Sequence, residues 1–291
     1  MGVSILLICG CDPGANMSQS QFDLEAFRNF ERTTHDKLAG SYYDAFSAVT
    51  KRAIEPLLKA AHVGKGTRLL DVATGPGTLA AKAAERGARV IGIDIAPAMI
   101  ELARTLHPHL DFREGSAEEL PLDSASLDAV ISSFGMGHFS RPERVLAEFA
   151  RVLVPKGRVA LSWWDGFGKS RINGIFFEAI NELGIRAPGA LPAGPAADRF
   201  SDPNEFAAVL HAAGFEAVAI DYISFSHPLK TVDELWDLAL GSFVRVSTVI
   251  GAQDADVQQR IRAKVEQIAQ QYASADGLQI PIAFRIIAGI R

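Results

Sequence analysis

Between Thr67 and Trp164 the chain alternates short apolar, strand-like runs with amphipathic, helix-like ones, and that alternation leaves few architectures open. Strands separated by helix-length connections pair in parallel, with the helices covering the faces of the sheet. Arg68–Ala73 reads as a buried strand that ends in the turn Thr74-Gly-Pro-Gly77, and the alanine-rich Thr78–Arg86 reads as a helix stopped by Gly87. Ala88–Asp94 is a second strand; Pro97 suits the first turn of a helix whose apolar face is Met99, Ile100, Ala103 and Leu106. Leu110–Glu114 and Leu127–Ser132 are the third and fourth strands. Ser140-Arg-Pro-Glu143 has the pattern of a capping box, and Pro155-Lys-Gly157 turns the chain into a fifth strand, Arg158–Trp164.

The flanks are less regular. Leu24–Ala61 reads as helical, as does Ile172–Leu183, while Arg186–Asp202 reads as a Pro/Ala/Gly-rich loop. A helix from Pro203 ends at Gly214 and leads to a sixth strand, Phe215–Tyr222. Thr231-Val-Asp-Glu234 is a second capping box, Asp254–Tyr272 has helical spacing, and the last strand is expected over Gln279–Ile287, with Pro281 tolerable only near its start. Trp163 and Trp164 alternate on their strand, so one is expected in the core and the other on a pocket wall.

Composition closes off other classes. With 291 residues, 48% hydrophobic and 22% charged, the chain is long enough to bury a sizeable core and too apolar for bulk disorder. A net charge of -5 gives no support to nucleic acid or an anionic membrane as partner. Cys9 and Cys11 are the only cysteines, so no disulfide framework organises the core, and a cytoplasmic location is expected. The apolar start lacks a basic leader and its unbroken run is shorter than the roughly 7 to 15 residues of a signal, while Met17 reads as a plausible start. No segment reaches the roughly 18 uncharged apolar residues of a membrane span.

The chemistry begins at the glycine turn. Gly75-Pro-Gly77-Thr-Leu-Ala80 fits G-x-G-x-x-A, a turn that lets backbone approach a ligand at a helix N-terminus, or serves structure alone. Asp94 ends the second strand seventeen residues past Gly77, where a carboxylate can accept from both hydroxyls of a ribose; capping the Pro97 helix is the alternative. Together these two features favour a nucleoside ligand.

Five motifs then stand in order: Leu69-Leu-Asp-Val-Ala-Thr-Gly-Pro-Gly77, Ile91-Gly-Ile-Asp94, Gly115-Ser-Ala-Glu118, Leu127-Asp-Ala-Val130 and Arg151-Val-Leu-Val-Pro-Lys-Gly157. This set resembles the class I S-adenosylmethionine-dependent methyltransferases, most of all the ubiquinone/menaquinone-biosynthesis group and its small-molecule relatives. The resemblance implies a Rossmann-like α/β fold, a seven-stranded, mostly parallel sheet with helices on both faces. It further implies a flexible extension over 1–23, a helical cap over 24–61, a cofactor-binding core over 62–165, and over 166–291 the completion of the sheet with an acceptor-binding lid, all in one domain. S-adenosylmethionine is the cofactor implied and S-adenosylhomocysteine the product, with no metal.

By the same resemblance Asp71, Ala73, Gly75 and Gly77 border the methionine moiety, Asp94 the ribose, and Ile95 and Met99 the adenine. Ser116 and Ala117 match the pair that reads the adenine edge, with a weaker or water-assisted contact at Ser116, where relatives commonly carry an aspartate. Ser132 and Ser133 border the transferable methyl, and Tyr42, with Tyr43 beside it, matches a position that closes over the cofactor, against simple helix packing.

A nicotinamide-dinucleotide oxidoreductase is the competing reading, disfavoured because Asp71 would sit near a pyrophosphate and because no Tyr-x-x-x-Lys follows the fourth strand. A catalytically silent cofactor-binding protein is the third. His138, just beyond the fourth strand, is the candidate base for a hydroxyl, or a helix cap; Asp165 is a candidate for positioning an acceptor. His107 and His109 lack the neighbours of a metal site, and His35 reads as a solvated or packing histidine. Phe176, Phe177, Trp236, Phe243 and Val246 predict a largely apolar acceptor, an aromatic or isoprenoid-like small molecule, for a monomer or homodimer.

Overall fold

Leu69, Leu70 and Val72 have no more than 1% of their surface exposed, which is what a strand with helices on both faces requires. They belong to β1 (Arg68–Val72), the middle of a sheet in a computed structural model that describes residues 23–189, 191–196 and 198–291, with the backbone alone of 42–45. Cys9, Cys11 and Met17 lie outside the described residues, and so do the side chains of Tyr42 and Tyr43.

β1 pairs in parallel with β2 (Arg89–Asp94) on one side and β4 (Leu127–Ser133) on the other; β2 then carries β3 (Asp111–Glu114), and β4 carries β5 (Leu153–Trp164). Beyond β5 the pairing turns antiparallel, with β8 (Gly277–Ile290) between β5 and β6 (Glu216–Leu229). The order is β3-β2-β1-β4-β5-β8-β6, seven strands with the two-residue β7 (Ala273–Ser274) appended to β8. The chain reverses its winding between β1 and β4, which opens a crevice above their carboxyl ends.

The crossover helices α3 (Thr78–Glu85), α4 (Pro97–Leu106) and α5 (Pro142–Val152) form where the apolar periodicity places them. Gly77 makes the first of these connections possible. Its φ is +78°, and a Cβ there would stand 2.5 Å from the Phe112 ring. α1 (Leu24–Thr50) and α2 (Ile54–Ala60) precede the sheet; Asp36 accepts from the Ala98 N–H at 2.9 Å, fastening α1 over the start of α4. α6 (Arg171–Glu182) and α7 (Pro203–Ala212) follow β5. α8 (Val232–Ser242), α9 (Val244–Gly251) and α10 (Ala255–Ala269) fill the connection between β6 and β8. Ser41 donates to the Gly241 carbonyl at 3.0 Å, so the α8 end meets α1 above the crevice. Among the described residues no helix is long and apolar enough to cross a membrane.

Four local expectations are corrected. Ser140 does not cap α5: the cap residue is Arg141, without a side-chain bond, because the Ser140 hydroxyl donates to buried Glu118 instead. β5 starts five residues early, since Leu153 pairs with Leu127 before the Pro155-Lys-Gly157 turn and Arg158 resumes with Ala129 after it. β6 continues seven residues past Tyr222, each paired with β8, and Pro281 sits inside the long β8 rather than near its start. The proline is tolerated because β5 stops opposite Phe284, leaving that edge of β8 free of β5 pairing at Pro281. Lastly, both Trp163 and Trp164 line a cavity, as described next.

Candidate active site

Two cavities meet above the carboxyl ends of β1, β2 and β4. The first is walled by Val72, Ala73, Gly75, Asp94, Ile95, Met99, Ser116, Ala117 and Ser133, and is closed from α1 by Arg28, Glu31 and His35. Eight of the residues expected around the cofactor, Ala73, Gly75, Asp94, Ile95, Met99, Ser116, Ala117 and Ser133, therefore converge on one space, and the candidate base His138 borders it too. Asp71 lies instead in a smaller adjoining cavity with Thr50, Thr74 and Thr78, which shares Ala73, Gly75 and Ser133 with the first. Gly77 lines neither, and Ser132 is fully buried, its side chain toward Gly135. Strand alternation explains the split: Ser133 faces the crevice and Ser132 faces away.

Asp94 does both things considered for it. Oδ2 accepts from the Gly75 N–H at 2.9 Å and Oδ1 from the Ala96 N–H at 3.0 Å, so it ties the glycine turn to the start of α4 while edging the cavity. Burial pushes its pKa up, against the backbone hydrogen bond from Ala96 and the charge of His35. Burial likewise pushes Asp71 up to about 7, although the Thr74 hydroxyl donates to it at 2.8 Å. Neither acid has an arginine or lysine partner among the described residues. The pair thus complements a ligand that offers hydroxyl donors and positive charge, and opposes one that brings phosphates.

Glu118, quoted as part of a motif but given no role, organises the rim. It accepts from Arg28 at 2.9 Å, from the Arg141 side chain at 2.8 Å and from the Ser140 hydroxyl. Burial works to raise its pKa, but those donors hold it below the ordinary carboxylate range. These partners lie 22 to 90 residues away in the sequence, so no local pattern signals the role.

The second cavity is aromatic. Phe46, Phe134, Trp163, Trp164, Phe167, Phe177 and Phe243 line it, with Val244 and Val246. Phe134 stacks on Trp164 at 3.9 Å between centroids, while Phe46 approaches both Trp164 (5.5 Å) and Phe243 (5.2 Å). Trp163 covers Gly137, where any Cβ would overlap its indole, and thereby sits edge-on to His138 at 5.7 Å. Phe176 and Trp236 are buried behind this wall, 6.0 Å apart. Asp165 also lines the cavity; Arg285 and Lys169 bind its carboxylate at 3.2 and 3.4 Å.

Glu31, His35, Phe134 and His138 belong to both cavities and form the wall between them. His138 Nδ1 lies 2.9 Å from Glu31 Oε2, and His35 Nδ1 lies 2.8 Å from the Glu31 carbonyl oxygen. Burial favours a neutral Glu31, yet His138, by charge and hydrogen bond, holds its pKa below the usual value, helped by His35 and Arg245. Burial and the neighbouring His138 push His35 down, toward the neutral ring. One ligand atom from each of the three lies within 4.8 Å of the others, a donor set that zinc accepts. Of the two roles expected for it, His35 thus takes the packing one, in the cavity wall against His138, and Glu31 carried no sequence signal of its own. Their i, i+4 spacing on α1 was the available signal; a polar helix face hid it.

A glycine turn at a helix N-terminus, an acid ending the second strand and a crevice at the winding reversal define a Rossmann-like nucleoside-binding protein. A family model described as a methyltransferase domain matches residues 70–161. A ubiquinone/menaquinone biosynthesis C-methyltransferase UbiE of Rubrivivax gelatinosus is 34% identical over 171 residues, covering 55% of this chain and 67% of its own. A demethylmenaquinone methyltransferase of Chlorobaculum tepidum is 44% identical over 91 residues, covering 31% and 38%. The chain thus spans between about two fifths and two thirds of the length of these relatives. A crystal structure of a putative methyltransferase from an antibiotic biosynthesis pathway of Anabaena variabilis superposes with a TM-score of 0.58 at 20% identity, covering 81% of this chain and 96% of that one. This chain belongs to the class I S-adenosylmethionine-dependent methyltransferases, near the ubiquinone/menaquinone-biosynthesis group.

Proposed function

We propose that the protein transfers a methyl group from S-adenosylmethionine, bound in the first cavity, to a small apolar or aromatic acceptor bound in the second. The observation that carries this reading is the shared wall: a cavity at the glycine turn and Asp94 and a cavity lined by aromatic rings share, among the described residues, Glu31, His35, Phe134 and His138. Asp94 would hold the ribose hydroxyls, Ile95, Met99, Ser116 and Ala117 the adenine, and Gly75, Ser133 and Asp71 the amino-acid end. When bound, the cofactor supplies a sulfonium-activated methyl for in-line displacement. The chain's own residues contribute orientation and the expulsion of water, through the aromatic walls on one side and α1 as a cover.

His138 would take the proton of an acceptor hydroxyl. Its Nδ1 is held by Glu31, which leaves Nε2 as the basic nitrogen, the carboxylate-oriented arrangement of general-base catalysis. The reading is tested by incubating the protein with methyl-labelled S-adenosylmethionine and 4-phenylphenol, an apolar phenol. Label recovered as the methyl ether is the expected result; label that moves only to acceptors lacking an aromatic or other apolar body contradicts it.

A further inference from the structure

The lining of the aromatic cavity also includes polar groups. Arg245, in the first turn of α9, lays its guanidinium over Phe27, 5.6 Å from the ring centroid, and its Nη1 is buried with no hydrogen-bond partner. Ser242 Oγ, from the last residue of α8, and Asn173 Oδ1, from the first turn of α6, line the same cavity and are also buried and unpartnered. Ser242 is only 5% exposed. Three helices thus bring three unsatisfied polar atoms to one chamber, where each costs stability unless something else satisfies it.

The nearby carboxylates are engaged elsewhere. Glu31 accepts from His138 at 2.9 Å, and Asp165 binds Arg285 at 3.2 Å and the Gly166 N–H at 2.7 Å. Arg245 is half-buried and makes no ion pair among the described residues; Glu31 feels its charge but is bonded to His138 rather than to the guanidinium. A carboxylate satisfies a guanidinium with charge-assisted, directional bonds. A phosphate dianion would call for a second arginine or lysine, and among the described residues no other lines the cavity.

Resting on the aromatic cavity as the acceptor site, we propose that the acceptor is an aromatic or alicyclic compound bearing a carboxylate, which Arg245 binds. The Ser242 hydroxyl donates a second hydrogen bond to it, and Asn173 Oδ1 accepts from a hydroxyl or N–H of the same molecule. The acceptor's apolar body lies against Trp164 and Phe243, and its methylated atom points to His138.

Calorimetry on the full chain saturated with S-adenosylhomocysteine tests this, with biphenyl-4-carboxylate and biphenyl-4-carboxamide as probes. The carboxylate should bind at least tenfold more tightly than the amide. Arg245→Met should abolish that preference, while S-adenosylhomocysteine, bound in the other cavity, keeps its affinity and shows that the variant is folded. Equal binding of the two probes, a preference that survives Arg245→Met, or binding of neither probe to the loaded chain would overturn the proposal. Failure of S-adenosylhomocysteine itself to bind is a different result: it overturns the methyltransferase reading, and the acceptor assignment with it.

Discussion

Asp94→Ala weakens S-adenosylhomocysteine binding by more than tenfold in a calorimetric titration. The expectation follows from what the carboxylate does: it edges the first cavity from the end of β2, with both oxygens fixed by the Gly75 and Ala96 backbone. Removing it deletes charge-assisted hydrogen bonds to a ribose, about 1.5–3 kcal/mol, and also unties the glycine turn from α4. Far-UV circular dichroism of the variant should match that of the unaltered chain, because the surrounding strands are buried independently of Asp94. Unchanged affinity would take Asp94 out of the site.

His138→Ala should lower turnover of a hydroxyl acceptor by a factor of roughly 10² to 10⁴, the range that a positioned general base supplies. Cofactor affinity should change far less than in Asp94→Ala, since His138 stands in the wall between the cavities rather than beside the glycine turn. Glu31→Gln keeps the shape of the wall but weakens the hold on His138 Nδ1, and should give a smaller loss in kcat with little change in KM. Full turnover in His138→Ala, measured with labelled methyl donor, would remove the base assignment and favour methylation at a carbon that needs no strong base.

Much of this was legible in sequence because strand and helix periods differ and glycine is specific about where it turns. β1 through β4 fall within a residue or so of where the apolar runs place them, and Gly75, Asp94, Met99 and Ala117 converge because each ends or follows a parallel strand at the same side of the sheet. What stayed hidden was long-range. Ser140-Arg-Pro-Glu143 has the letters of a capping box, but a buried acid 22 residues away competes for the serine hydroxyl and wins, since a buried carboxylate needs donors more than a helix end open to water does. Glu31 and His35 look like one polar turn of a long helix until α1 is laid across the crevice, where they meet His138, 107 residues on from Glu31. Likewise Trp163 and Trp164 alternate along β5, yet Gly137 lets the first indole fold over the loop after β4, so both reach the same cavity.

The measurement that bears most directly on the central claim is a calorimetric titration of the full chain with S-adenosylhomocysteine beside oxidised and reduced nicotinamide dinucleotides. Two buried acids flanking the glycine turn, with no arginine or lysine ion pair among the described residues, predict selective, micromolar binding of the nucleoside thioether and none of the dinucleotides. Binding of a dinucleotide alone would contradict the account and make Asp94 a dinucleotide ribose ligand.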